Sequence, residues 1–356
     1  MIKTKDIEKA LTRKKEKKKL SFLSTGSTLL NLACTGHPYH GFAKGKYHII
    51  IGDSTSGKTF LSLTCLAEAS TDPKFDDFRF IYDDNEGGAM MDIEKFFGES
   101  VFKRMEPPDG DKDVPLFSST IEEFYFNVDD AIKKGKPFIY VLDSMDSLSS
   151  EEEISKFDKT KEALRKGKEV AGAYTDGKAK KNSANLRRLL TPLKKSGSIL
   201  IIISQTRDSL GFGFEKKNRS GGRALRFYAA IELWSSVKSS ITKVIKGKNR
   251  QLGTLCSIRV KKNRVTGRDR VVTIPIYHSF GIDDIGSCVD YLSKEEGHWT
   301  TSGASITAPE FDFTGNRGKL IRHIENEGLE KDLIDIVTDT WNEIEEACRV
   351  KRKKRY

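Results

Sequence analysis

No apolar run in the chain approaches the ~18 residues that a membrane-spanning helix requires. Stretches such as "SILIII" (198–203) are of strand length. A membrane span is therefore not expected. The first twenty residues carry nine Lys or Arg against three acids, but none of the apolar core of a secretory signal. Cysteine is sparse. Cys34, Cys65, Cys256, Cys288 and Cys348 form no C-x-x-C pair, and an odd, dispersed set argues for reduced thiols in a cytoplasmic setting, not a disulfide framework. "CTGHPYH" spaces Cys34, His37 and His40 three apart, one ligand short of a structural zinc site, and reads as a plain loop. Internal repeats are absent.

What is present is a chain of 356 residues, 37% hydrophobic and 32% charged, with a formal net charge of +11. That is enough apolar content for a large core beneath a surface that favours an anionic partner, and without a membrane segment the partner expected is nucleic acid. From about residue 22 to 280, β-rich apolar runs ("YHIII", 47–51; "FRFIY", 78–82; "PFIYVL", 137–142; "SILIII", 198–203) alternate with helical patterns at 58–69, 89–97, 120–134 and 183–195. Such alternation predicts an α/β fold with a mainly parallel twisted sheet flanked by helices. "FYAAIELW", "TLCSIRVKK" and "RDRVVTIPIY" follow closely, as an antiparallel extension would. The charged stretch 150–181 reads as a helix or a mobile loop, and the chain beyond 284 as helical, with a basic tail. The expected organisation is an N-terminal basic arm (1–22), a core (23–283) and a small C-terminal helical region (284–356).

"GDSTSGKT" fits G-x-x-x-x-G-K-[ST] between a strand and a helical pattern. Its residues, Gly52, Asp53, Ser54, Thr55, Ser56, Gly57, Lys58 and Thr59, are the candidate phosphate cradle. Glycines let backbone N–H groups turn inward at the positive end of the helix dipole. Lys58 would neutralise β/γ-phosphates, and Thr59 would ligate Mg²⁺. Asp143, ending "FIYVLD", is the expected second Mg²⁺ anchor, while Asp146 reads as a surface or capping residue. Glu86 in "FIYDDNEGG" is the candidate general base, with Asp84 as fallback. Gln205, at the end of "SILIIISQ", stands where a polar side chain could sense a γ-phosphate. ATP and Mg²⁺ are the cofactors expected.

The segment after that strand, "SQTRDSLGFGFEKKNRSGGRALRF" (204–227), has four glycines, six Lys or Arg, and Phe212 and Phe214. A slack linker gains nothing from exposed aromatics, whereas a loop closing on single-stranded nucleic acid uses cations and apolar side chains together.

These residues together resemble the RecA/UvsX family of bacterial and bacteriophage recombinases, over roughly residues 22–283 and more in the manner of a diverged phage member. The likeness runs through "STGS" (24–27), "GDSTSGKT", Asp84-Asn85-Glu86, "VLDSMDSL" and, most specifically, "SQTR…SGGRALRFYAAIEL". It implies a RecA-like P-loop NTPase core and a DNA-dependent ATPase that polymerises on single-stranded DNA and promotes homologous pairing and strand exchange with duplex DNA. It also implies a homo-oligomeric filament, with single-strand-binding and loader proteins as further expected partners. Gln205 then couples γ-phosphate to the DNA loop. Arg207, Leu210, Phe214, Gly221, Gly222 and Arg223 match positions that contact single-stranded DNA, with Lys216, Lys217 and Arg219 as further cations of that loop. Lys262 and Arg264 match two cations that reach the neighbouring subunit's ATP, and Arg226 and Phe227 a subunit-interface pair. A first DNA loop is expected near 172–181. Met90 and Ile93 replace the Asp and Tyr that family members often set against adenine, and the basic ending replaces an acidic tail. A hexameric helicase-type motor of the same fold and an ATP-binding, ssDNA-coating mediator or annealing protein are the alternative readings.

Overall fold

The computed structural model describes residues 21–166, 178–208, 217–219, 223–353 and 355. Residues 1–20 of the expected basic arm (1–22) and most of the expected first DNA loop lie outside that range. β1 (Phe22–Leu23) and β2 (Phe42–Ala43) pair antiparallel on either side of α1 (Thr28–Thr35). This helix starts where the Ser27 hydroxyl accepts the Leu30 N–H and ends at Gly36, left-handed at φ 76°. β3 (Tyr47–Gly52) leads through the glycine-rich loop into α2 (Lys58–Thr71). β4 (Arg79–Asp84) is followed by two short helices, α3 (Ile93–Phe97) and α4 (Glu99–Arg104). The edge strand β5 (Met105–Glu106) and a small hairpin, β6 (Asp109–Gly110) with β7 (Pro115–Leu116), come next. α5 (Ile121–Lys133), opened by a capping box of Thr120 and Glu123, precedes β8 (Phe138–Asp143).

The charged stretch after β8 is a helix, α6 (Glu151–Arg165), begun by a second capping box and burying none of its residues. α7 (Lys178–Ser196) buries Asn182, Leu186, Leu189 and Leu193 at helical spacing. β9 (Ile199–Asp208) folds back on β10 (Lys217–Arg219), and α8 (Arg223–Tyr228) precedes the long hairpin β11 (Ile231–Ile245) and β12 (Lys248–Asn263). β13 (Arg270–Tyr277), β14 (Gly281–Ile282) and α9 (Asp284–Asp290) follow. Then come β15 (Thr300–Ser302), β16 (Ser305–Ala308), β17 (Phe313–Asn316), α10 (Arg317–Glu327) and α11 (Glu330–Ala347).

The main sheet runs β14-β13-β12-β11-β3-β9-β8-β4-β5, with β10 attached to β9. From β11 to β5 all neighbours are parallel, and from β11 to β14 they are antiparallel. Both faces are covered, so the central strands are continuously apolar and alternate residues serve two cores. Ile139 and Val141 join α1, α2 and the C-terminal elements, while Phe138, Tyr140 and Leu142 join α5 and α7.

Three expectations change. The "FYAAIELW" run is not one strand: its first two residues end α8, and the strand starts at Ile231. The loop after Gln205 has a two-stranded root, β9 pairing with β10 at Thr206↔Arg219. The region beyond 284 is not purely helical, since β15–β17 form an antiparallel sheet. Strands of three or four residues rich in Ser, Thr and Gly carry too little alternation to be read from the sequence.

The C-terminal elements are tied to the core by partly buried polar contacts. Arg270 donates from Nε and Nη2 to the two carboxylate oxygens of Glu345, at 2.6 and 2.8 Å. The Asp284 carboxylate, at the start of α9, accepts the Thr28 N–H at 2.8 Å and its hydroxyl at 2.7 Å. Enclosure of that carboxylate pushes its pKa up to about 6, despite these donors. An acid whose folded pKa is raised gives stability that is present below its ordinary pKa and is lost as pH rises through the folded value. Asp284→Asn keeps an acceptor for Thr28 and has no charge to bury. The wild type should therefore lose about 3 kcal/mol relative to this variant between pH 4 and 8. Parallel denaturant titrations across that range test it, and curves of the same pH dependence would contradict it.

Candidate active site

The glycine-rich loop joins the end of β3 to the start of α2. Thr55 and Gly57 are both left-handed (φ 61° and 82°), which turns successive backbone N–H groups inward as an anion nest. Gly52 is packed so closely that a Cβ there would lie 2.3 Å from the Ser235 carbonyl oxygen, and the Ser235 hydroxyl donates to the Ser56 carbonyl at 2.6 Å. Lys58 is buried and donates to the Asp53 carbonyl at 2.6 Å. Burial lowers its pKa, and the carboxylates of Asp143, Glu86, Asp53 and Asp146 oppose that shift.

Asp143, at the end of β8, accepts the Thr59 hydroxyl at 2.6 Å and the Tyr82 hydroxyl at 2.9 Å on the same oxygen. Burial raises its pKa, and these hydroxyls draw it back. A hydroxyl and a carboxylate at this separation, beside an anion nest and a lysine, are the donor set that a phosphate-bound Mg²⁺ takes from a P-loop protein. The residues present thus fit Mg²⁺ and a nucleoside triphosphate. Among the described residues no group of three His, Cys, Asp or Glu could hold a metal by itself, and Cys34, His37 and His40 form no such site.

The three acids at the end of β4 and just beyond it differ in their contacts. Asp83 is fully buried and accepts from Ser118 N, Ser118 Oγ and Tyr140 OH, so it is structural. Asp84 caps its own loop by accepting Gly88 N at 2.9 Å and Ala89 N at 3.1 Å. Glu86 instead is exposed and faces the site, accepting from the Ser144 hydroxyl and from Gln205 Nε2 at 3.0 Å. Asn85 locks this turn through paired contacts with Ser144, 2.7 Å from Ser144 N and 3.0 Å to Ser144 O. Asp146 is half-buried, and its Oδ2 accepts the Gln205 N–H at 2.6 Å.

Lys262 and Arg264 do not reach this cluster. Both donate to carbonyl groups at the end of α8, those of Arg226 and Phe227 for Lys262 and that of Phe227 for Arg264. Lys262 stands opposite Glu232, three residues along β11 from the Ser235 that lies beside Gly52. At ~3.3 Å per residue and ~4.8 Å per strand, it sits about 10 Å down and about 10 Å across from the phosphate loop. Arg226 pairs with the buried Glu232 of its own chain at 3.3 Å, and Phe227 is 66% exposed. Met90 is exposed, whereas Ile93 is built into the core. Of the candidate DNA residues, Leu210, Phe214, Lys216, Gly221 and Gly222 lie outside the described residues. Arg207 lies in β9, Lys217 and Arg219 lie in β10, and Arg223 opens α8.

Sequence reasoning missed the Tyr82 and Ser144 hydroxyls, which no motif marks. It also missed a basic ribbon. From residue 233 to 268 the chain has ten Lys or Arg and no acid, a run readable by charge count alone. In the structure Lys238, Lys243, Lys246, Lys248 and Arg250 stand exposed on β11, β12 and their turn. Beyond Tyr277, the last β13 partner, only two strands continue.

The family pattern of the RecA N-terminal domain matches residues 127–283. Among curated relatives, the chain is 26% identical over 302 residues to "Protein RecA" of Chlorobaculum parvum, covering 79% of this chain and 74% of that one. It is 27% identical over 290 residues to "Protein RecA" of Clostridioides difficile (79% and 73% covered) and 28% identical over 293 residues to that of Rubrobacter xylanophilus (80% and 74%). The family match takes in β8, β9 and β11 to β13, and the chain is thus similar to the RecA family of recombinases over most of its length.

Proposed function

We propose that this protein is an ATP-dependent DNA recombinase that assembles as a filament on single-stranded DNA and promotes pairing and strand exchange with duplex DNA. The observation that carries the reading is one strand. Gln205 of β9 touches Glu86 through its amide beside the Thr59–Asp143 pair, and the next three residues of the strand pair with β10 as the root of the β9–β10 ribbon. In this reading residues 23–283 are the ATPase and DNA-binding core, residues 1–22 pack between subunits, and residues 284–356 form an accessory region. No described helix is long and apolar enough to cross a membrane.

Bound Mg²⁺ would supply charge neutralisation of the β- and γ-phosphates between Thr59 and Asp143. Lys58 and the inward N–H groups of the loop hold the phosphates, and Glu86 accepts the proton of the attacking water. Gln205, bonded to the same carboxylate, registers whether the γ-phosphate is present. Lys262 and Arg264 lie too far from their own phosphate loop to act on it, so their charge serves a neighbouring subunit's ATP. That division makes hydrolysis a property of the assembly. Loader and single-strand-binding proteins are the further partners this reading expects.

Lys58→Ala should abolish ATP hydrolysis. Glu86→Gln should retain nucleotide binding and lower kcat by at least about a hundredfold, as expected for loss of a general base. Normal turnover in Glu86→Gln with loss in Asp84→Asn would reverse the assignment of these two acids. Mixing Glu86→Gln protein with Lys262→Ala/Arg264→Ala protein should restore part of the ssDNA-stimulated activity, because some mixed interfaces are intact on both sides. Failure to complement, with both proteins still assembling on DNA, would argue for a site complete within one chain.

The exposed cations of the β11–β12 ribbon and the basic tail (349–355) serve duplex DNA in this reading. Each duplex phosphate neutralised contributes roughly −0.9 to the slope of log K against log salt. Lys243→Ala/Lys246→Ala/Lys248→Ala should flatten the slope for duplex binding by about 2 to 3, while ssDNA-stimulated hydrolysis persists. An unchanged slope would assign the duplex contacts elsewhere.

A further inference from the structure

The β9–β10 ribbon is fastened at its root by two acids from different parts of the chain. Thr206, paired across the ladder with Arg219, donates its hydroxyl to Asp53 Oδ1. One residue earlier, the Gln205 N–H is held by Asp146. Successive strand side chains face opposite ways, so the end of β9 reaches Glu86 through Gln205 and the phosphate loop through Thr206. The strand register causes this. Gly52 of β3 lies opposite Gln205, which brings the next residue of each strand, Asp53 and Thr206, side by side.

A carboxylate on a phosphate-binding loop repels the ligand that the loop is shaped to take. Its neighbours therefore matter. Lys58 donates to the Asp53 backbone oxygen, and its ammonium is among the charges coupled to the Asp53 carboxylate. A triphosphate draws that ammonium to its own oxygens and adds several negative charges to the loop. Both changes act against an anionic Asp53 in its present place, and Thr206 is what Asp53 holds.

We propose that Asp53 is a positioning residue that couples the phosphate loop to the ribbon: its carboxylate fastens Thr206, and triphosphate charge entering the loop loosens that fastening. The coupling acts beside the Gln205–Glu86 contact and on the opposite face of the same strand. It rests on the reading of the loop as a triphosphate site, but its readout needs no DNA.

Hydrogen exchange of the full chain, with and without a non-hydrolysable ATP analogue and Mg²⁺, tests it in wild type, Thr206→Val, Thr206→Ser, Asp53→Asn and the Asp53→Asn/Thr206→Val double variant. In wild type and Thr206→Ser the analogue should speed exchange in peptides covering 204–208 and 217–219. In Thr206→Val and Asp53→Asn these peptides should exchange on the order of tenfold faster without it, as loss of a hydrogen bond to a charged group predicts. The double variant should be no faster than either single, because both remove one contact. Exchange in β3 and β8 should stay at the wild-type rate. Slow exchange in Thr206→Val, an additive double variant, or acceleration that spreads to β3 and β8 would overturn the proposal. Binding of the fluorescent analogue to wild type is measured on the same samples. An analogue that binds without changing wild-type exchange overturns the coupling alone, whereas one that does not bind overturns the triphosphate reading as well.

Discussion

A lysine must stay charged although it is largely out of water, and the architecture around the site follows from that demand. Burial of Lys58 favours its neutral form, and four carboxylates oppose this from four places: Asp53 in the loop, Glu86 after β4, Asp143 at the end of β8 and Asp146 just beyond it. Gathering four acids around one cation would be unfavourable if each were not engaged in turn. Asp143 takes two hydroxyls, Glu86 a hydroxyl and an amide, Asp146 a backbone N–H and Asp53 a hydroxyl. Satisfying the acids therefore recruits Thr59, Tyr82, Ser144, Gln205 and Thr206, and the charge of one side chain becomes the concern of four strands.

The parallel sheet is what makes this gathering possible. β3, β4, β8 and β9 run in one direction, so their carboxyl ends deliver the loop, Glu86, Asp143 and Gln205 to one edge. β12 runs the other way and delivers Lys262 to the far edge. Strand direction alone thus sets Lys58 and Lys262 at opposite edges of the sheet.

The parts legible in the sequence were those whose signal is local. "GDSTSGKT" carries its chemistry within eight residues, and the buried strands announce themselves by continuous apolar content. Asp146 and Thr206 escaped because their partners are 59 and 153 residues away, and only the register of the sheet joins them. Composition does not separate the surroundings of Asp84 and Glu86; in the structure Asp84 accepts two loop N–H groups. The β11–β12 hairpin was underread because beyond Ser235 it has almost no buried face, and the period-2 pattern exists only where one face is dry. The three-stranded sheet near the C-terminus failed for shortness.

β3 ends at Gly52, yet both of its neighbours run on past it: β9 to Asp208 and β11 to Ile245. Each then turns back as a hairpin, one through β10 and the other through a tight turn at Lys246 and Gly247, both left-handed. The phosphate loop consequently sits in the crotch of a two-pronged fork, about 10 Å from prong to prong at its base by the spacing of three adjacent strands. It touches one prong through Thr206 and the other through Ser235. The β11 arm runs ten residues beyond Ser235 at ~3.4 Å each, so what touches the loop at its base also carries exposed cations far from it.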